Sequence, residues 1–184
     1  QLTNKAIIAF IGINGKVDIS IDTMRASTAR LAVEAGATIV NDVSGGAADP
    51  DMFATVAQLG CKFTLMHWRG HSKDMNSKAI YDDVVTDVIS ELQERISAAL
   101  DAGIQPGNLI IDPGLGFAKD AEHNWAIIDS IDRFVAMGYP VFVTEIRKET
   151  NEVVLGTEEY LLKNAMTVGK LNLQKYATIP EVGL

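Results

Sequence analysis

The chain has 184 residues, a net charge of −8, 47% apolar residues and one cysteine. That length supports one domain with a real core. The negative balance disfavours a broad nucleic-acid or anionic-membrane surface, no apolar run reaches the roughly 18 residues of a membrane span, and lone Cys61 excludes an intrachain disulfide framework or a multi-cysteine zinc site. Cys61 precedes an apolar run and reads as a small buried thiol. The start, "QLTNKAIIAFIGING", lacks the basic leader and cleavage pattern of a signal peptide, so the cytoplasm is the expected compartment.

Strand-like and helix-period segments alternate along the chain. "NKAIIAFIGIN" reads as a first strand ending at Asn14, but no helix-length segment separates it from "VDISID" (17–22). A helix over 24–37 follows, with Leu31, Val33 and Ala35 on its amphipathic pattern and Gly36 as its stop. "TIVND" (38–42) is a strand. "DPDMFATVAQLG" (49–60) is a helix, with Asp49 read as a cap. "KFTLMH" (62–67) is a strand, followed by a polar loop and a long helix from Tyr81 to Ala102. "NLIID" (108–112), a helix over 120–138 and a strand "PVFV" (140–143) complete the series. Short strands apolar on both faces point to a parallel sheet covered by helices. The fold class is α/β, either a (β/α)8 barrel or an open doubly wound sheet.

Polar residues end these strands: Asp22, Asn41-Asp42, His67 and Asp112, with Arg147-Lys148 shortly after "PVFV". In a parallel sheet they converge on one rim, where α/β enzymes place their ligands. One such residue is adequately explained as a helix cap, but five successive strand ends are not. Carboxylates, an amide and cations suit a polar heterocycle that offers both donors and acceptors. "NDVSGGAAD" (41–49) could offer backbone amides to an anion, yet neither it nor "GLGF" (114–117) has dinucleotide or phosphate-loop spacing. His67, His71 and His123 show no paired metal-ligand spacing. Trp68 beside Arg69 is a candidate rim pair, and the acidic run from Asp82 to Glu94 reads as a solvated helix face.

"SIDTMRA", "VNDVSGG", "LMHWRG" and "IDPGLGFAK" occur in the order seen in dihydropteroate synthases, and the chain resembles that family from about Val17 to Val143. "HNWAII" and "MHWRG" are most similar to actinobacterial members. The resemblance implies a (β/α)8 TIM barrel, incomplete in this chain, forming a single pterin-binding domain over 1–184. It implies condensation of para-aminobenzoate with 6-hydroxymethyl-7,8-dihydropterin diphosphate, with Mg²⁺ as cofactor, no nucleic-acid or membrane partner, and a homodimer. By motif, Asp22, Asn41 and Asp112 hydrogen-bond the pterin. Met66 walls its pocket and Phe117 borders the aminobenzoate site. Asp112 and Lys148 are the catalytic pair, Arg147 and Lys148 also bind substrate, and Asn14 is assigned to the Mg²⁺ side. Sulfonamide sensitivity is implied as well.

The chain also departs from the family. The Asn-x-Thr-x-Asp-Ser-Phe-Ser loop, the second strand with its Asp-x-Gly-Gly-Glu-Ser segment, and the final Arg-x-His have no counterpart, and Ile146 replaces a serine. Breaks near 14–15 and 143–150 fit a longer protein lacking its loops here, a shortened homologue that binds pterin without turnover, or poorly assigned sequence over about the last forty residues. The first fits best, since a closed barrel typically needs ~250 residues. A pterin-binding domain of a corrinoid methyltransferase is a further alternative.

Overall fold

The computed structural model describes residues 18–71, 73–141, 145–147 and 152–154. The chain divides into two compact units, 1–141 and 142–184. In the first, β1 (Ser20–Asp22), β2 (Ile39–Asp42), β3 (Lys62–Met66) and β4 (Leu109–Asp112) pair in that order, every neighbour parallel. Helices α1 (Ala26–Glu34), α2 (Met52–Leu59) and α3 (Val84–Asp101) are the crossovers between them, and α4 (Ala121–Asp129) and α5 (Ile131–Val135) follow β4. This is a run of β/α units, an arc of a (β/α)8 barrel rather than a closed one. The arc continues past β4: Ile111 N–H donates to Pro140 C=O at 3.1 Å, where the "PVFV" strand was expected to begin. Residues 142–144 lie outside the described residues.

Alternation along the strands decides which face is core. Val40, Phe63, Leu65, Leu109 and Ile111 form one side of the sheet and are at most 1% exposed. Helix α3 lays Val84, Val88, Leu92, Ile96 and Ala99 into the same core. Its spacing of three and four residues makes one stripe, and each large apolar side chain buried there contributes about 1.5–3 kcal/mol. Asp83 starts this helix by accepting from Thr86 N–H at 2.7 Å. The ring of Phe53 meets Phe63 edge-on at 5.8 Å.

Three local readings are corrected. Helix α1 buries Ala26, Ala29 and Ala32, while Leu31 is 51% exposed. Val33, of the three residues read on the apolar pattern, packs partly buried against the core. Asp49 does not serve only the helix that follows it. Its Oδ2 accepts Ala26 N–H at 2.8 Å, capping α1 from across the fold, while Oδ1 accepts Asp51 N–H at 3.0 Å. The segment 120–138 is two helices, because the backbone leaves helical geometry at Ser130 (φ −112°, ψ 22°).

In the second unit, β5 (Glu145–Arg147) and β6 (Glu152–Val154) pair antiparallel, with Arg147 opposite Glu152.

Candidate functional site at the sheet rim

The strand face opposite the core carries the polar residues. Asp22 registers with Asn41, Asn41 with Thr64, and Met66 with Asp112. With side chains alternating every residue, Asp22, Asn41, Met66 and Asp112 all lie on this face, at the C-terminal ends of four adjacent strands. The structure therefore brings together four residues that the strand-end pattern and the family resemblance select. Phe117, half-buried, lies in the turn after β4. Arg147 closes β5 in the second unit. Lys148 and Asn14 lie outside the described residues.

Both carboxylates are held above the usual range. Burial is the first cause for Asp112, partly offset by the Gly114 N–H and by the charge of Lys119. Burial also raises Asp22, and the charge of Asp42 adds to it. Among the described residues, one donor reaches the Asp112 carboxylate: Gly114 N–H, 2.7 Å from Oδ1. A partly buried carboxylate with spare acceptor capacity on an open sheet face can take two donors from a ligand.

Asp42 has the opposite environment. It is one residue beyond Asn41, so it points to the core side, where it is fully buried. Its oxygens accept Ser44 N–H at 2.8 Å, Ser44 Oγ–H at 2.7 Å and Gly46 N–H at 3.0 Å. The turn thus directs the amides of Ser44 and Gly46 at the Asp42 carboxylate and that of Gly45 at Asp42 C=O, and the anion-cradle reading of this turn is corrected. Gly45 (φ 56°) and Gly46 (φ 78°) supply the left-handed conformations, and a Cβ on Gly45 would collide with Met66 C=O.

Behind the rim lies a buried polar network that sequence reasoning missed. Lys119, 8% exposed, donates to His67 Nδ1 at 2.9 Å and to the carbonyls of Gly114 and Phe117, each at 3.0 Å. His67, 2% exposed, meets Glu91 Oε2 through Nε2 at 3.0 Å. Glu91 also takes a forked contact from Arg69, which lies 3.9 Å over the Tyr81 ring and donates to Ile80 C=O at 2.6 Å. Tyr81 O–H donates to Ala118 C=O at 2.9 Å. The loops after β3 and β4 are laced together by these contacts.

An ammonium only donates, so His67 Nδ1 accepts and the ring hydrogen sits on Nε2, facing Glu91. Burial first, and then the charge of Lys119, lower His67 to about 4. Burial pulls Lys119 down to about 7, with Asp112 pulling it up; three acceptors around one amine fit the charged form. Burial opposes the charge on Glu91, but its Arg69 and His67 contacts hold it below the usual range.

The signal for Glu91 was present in the sequence. It follows Val84 and Val88 on an i, i+4, i+7 line that continues to Arg95, at the edge of the apolar stripe. Reading 82–94 as a uniformly solvated face is therefore corrected at this position. His123, at the start of α4, completes a reciprocal capping box with Asp120.

A cleft of about 340 Å³ opens next to the rim, with Met66 in its lining. Its lining includes Ser44, Trp68, Arg69, His71, Lys78 and Arg95, but not Asp22, Asn41, Asp112 or Phe117. Among the described residues, no three His, Cys, Asp or Glu side chains gather as an ion-binding group. Cys61 is buried, and burial raises its thiol, as expected of an inert packing residue.

A parallel β/α arc with a polar strand-end row defines a ligand-binding α/β protein of the barrel class. More narrowly, the chain belongs to the pterin binding enzyme family, whose sequence profile matches residues 5–176. It is 48% identical over 133 residues to the dihydropteroate synthase of Mycobacterium leprae (strain TN), covering 72% of this chain and 47% of that protein. It is 41% identical over 150 residues to the dihydropteroate synthase of Streptococcus pyogenes serotype M6, covering 82% and 54%. Among solved structures, the Xanthomonas albilineans dihydropteroate synthase with 4-aminobenzoic acid matches with a TM-score of 0.68 at 36% identity, covering 75% of this chain and 48% of that one. The Thermus thermophilus dihydropteroate synthase in complex with 6HMPPP matches with a TM-score of 0.69 at 35% identity, covering 74% and 53%. The chain spans about half the length of the curated relatives it matches.

Proposed function

We propose that this chain contributes the pterin-binding part of a dihydropteroate synthase. The whole protein condenses para-aminobenzoate with 6-hydroxymethyl-7,8-dihydropterin diphosphate, giving 7,8-dihydropteroate and diphosphate. The observation that carries this reading is the single sheet face shared by Asp22, Asn41, Met66 and Asp112. Asp112 accepts two donors from the pterin's amino and N–H edge, Asn41 offers both a donor and an acceptor, and Met66 walls the ring. Phe117 borders the aminobenzoate. As the methylene C–O bond breaks, the electron pair leaves with diphosphate and positive charge grows on the pterin. The aniline nitrogen then forms the C–N bond and loses a proton. Fixed carboxylates at the rim favour that cation.

Lys148 and Arg147 serve the anionic end of the substrate in this proposal. Asn14 would hold Mg²⁺ at the diphosphate, where the ion would neutralise the charge of the leaving group. A homodimer, a cytoplasmic location and sulfonamide sensitivity belong to the same reading. The complex of the Xanthomonas albilineans synthase with 7,8-dihydropteroate supports the pterin-binding part of this reading alone.

Incubating the full-length protein with the pterin diphosphate, Mg²⁺ and labelled para-aminobenzoate should yield labelled dihydropteroate. Pterin binding without product would favour the second reading, a non-catalytic pterin-binding homologue, which the absent loop motifs and Ile146 in place of the family's serine motivate. If neither binding nor product is seen, both readings fail.

A further inference from the structure

We propose that Lys119 is a positioning residue: by clamping the turn after β4 onto His67 it sets the Asp112 carboxylate for its ligand. This rests on the reading that Asp112 binds the pterin. Gly114 is the link. Its N–H holds Asp112 Oδ1 at 2.7 Å, and its C=O is held by Lys119 Nζ at 3.0 Å. The same amine holds Phe117 C=O at 3.0 Å, so both ends of the turn 114–117 hang on one side chain. The third acceptor, His67 Nδ1, belongs to the loop after β3 and is braced behind by Glu91 and Arg69.

The turn has little stiffness of its own. Gly114 (φ 70°) and Gly116 (φ 79°) both occupy left-handed backbone, and Ala118 (φ 49°) is the one described non-glycine residue with positive φ. Glycines there lower the strain of the turn but leave it free to adopt other shapes. A non-glycine residue in this region stays only where its surroundings hold it. Lys119, with Tyr81 on Ala118 C=O, supplies that hold. Lys119 itself makes no contact with the sheet face that carries Asp22, Asn41 and Met66 among the interactions described above. Its influence on the ligand runs through Gly114, alongside the positive charge it places near the Asp112 carboxylate.

The test is a double-mutant cycle in the full-length protein, with 6-hydroxymethyl-7,8-dihydropterin affinity read by calorimetry. Lys119→Met keeps the stem and removes the three donors. It is expected to weaken pterin binding about tenfold or more, because two buried acceptors and one part-buried acceptor lose their partner and the turn relaxes. In the Asp112→Asn background the same change is expected to weaken binding by less than about twofold, since coupled residues do not add. Full pterin affinity in Lys119→Met overturns the proposal. So does an equal loss in both backgrounds, which would mean that Lys119 acts through general stability. Where Lys119→Met does not fold, His67→Gln enters the same cycle, with a smaller loss expected and the same non-additivity required. If the wild-type protein does not bind the pterin, the proposed function fails; if it binds and the cycle is additive, only the role of Lys119 fails.

Discussion

Two aspartates, Asp42 and Asp112, each close a parallel strand and each precede a glycine turn. At the level of local sequence they are the same device. In the fold they differ in parity and in satisfaction. Asp42 points to the helix side, is fully buried, and receives three donors from its own turn. Asp112 points to the open face and receives one. A carboxylate whose acceptor sites are filled locally holds its own loop together, whereas one with spare acceptors, raised by burial, awaits a partner. The difference is set by one residue of register, because a strand exposes alternate side chains to opposite faces.

Substituting both aspartates tests this contrast most strongly. Asp112→Asn should lower pterin affinity by about a hundredfold, since a neutral amide loses the charge-assisted fork, with little change in melting temperature. Asp42→Asn should do the reverse. Pterin affinity should stay within a fewfold of wild type, while stability drops by about 1–3 kcal/mol as buried donors lose their acceptor. Equal effects on affinity from the two variants would erase the contrast. Calorimetry and thermal melts read the two quantities separately.

Gly114→Ala sharpens the comparison at the level of the turn. The position has φ 70°, and a Cβ there would run into His67 C=O. Destabilisation of about 2 kcal/mol or more is expected, with pterin binding reduced alongside it. Gly138 (φ 83°) faces open space and is the control. Gly138→Ala carries only the conformational cost, about 1 kcal/mol, and should leave binding intact.

The buried network makes a pH prediction. His67 falls from 6.5 in the unfolded chain to about 4 in the fold. Below about 4 both states carry the proton and the penalty for burying it is complete; between about 4 and 6.5 only the unfolded state binds it. Stability should therefore rise with pH across that window. His67→Gln removes this component. The pH dependence of its melting temperature between 4 and 6.5 should be flatter than that of wild type, and an unchanged slope would show that His67 is not the titrating group.

The smallest effect belongs to Asp49. Asp49→Ala removes the cap from α1, at a cost of about 1 kcal/mol, and should leave pterin affinity unchanged because Asp22 does not share that task. A thermal melt and one binding isotherm settle both points.

Much of the site was legible before the fold was known, and for a definite reason. Strand ends carrying Asp22, Asn41 and Asp112 announce a rim through alternation and strand-helix order, both local patterns, whereas Met66 entered through the family resemblance and His67, read as a rim residue, is buried behind the rim. The lacing of Lys119, His67, Glu91 and Arg69 was not legible. Its members come from two rim loops and from the middle of α3, and no spacing in the chain couples them. Glu91 looked like one more charge on an acidic helix until its position beside the apolar stripe proved to face His67. Asp49 looked like a local cap because capping is usually local, yet its oxygen reaches a helix more than twenty residues away.

By itself, the sequence determined the order of strands and helices, the parallel α/β class and the strand-end residues, because hydrophobic period and turn chemistry act over a few neighbours. Only the tertiary structure decided which face each strand end meets, which carboxylate is already satisfied, and which buried lysine braces the turn beneath Asp112. Those depend on register and burial, and both exist only once distant segments pack together.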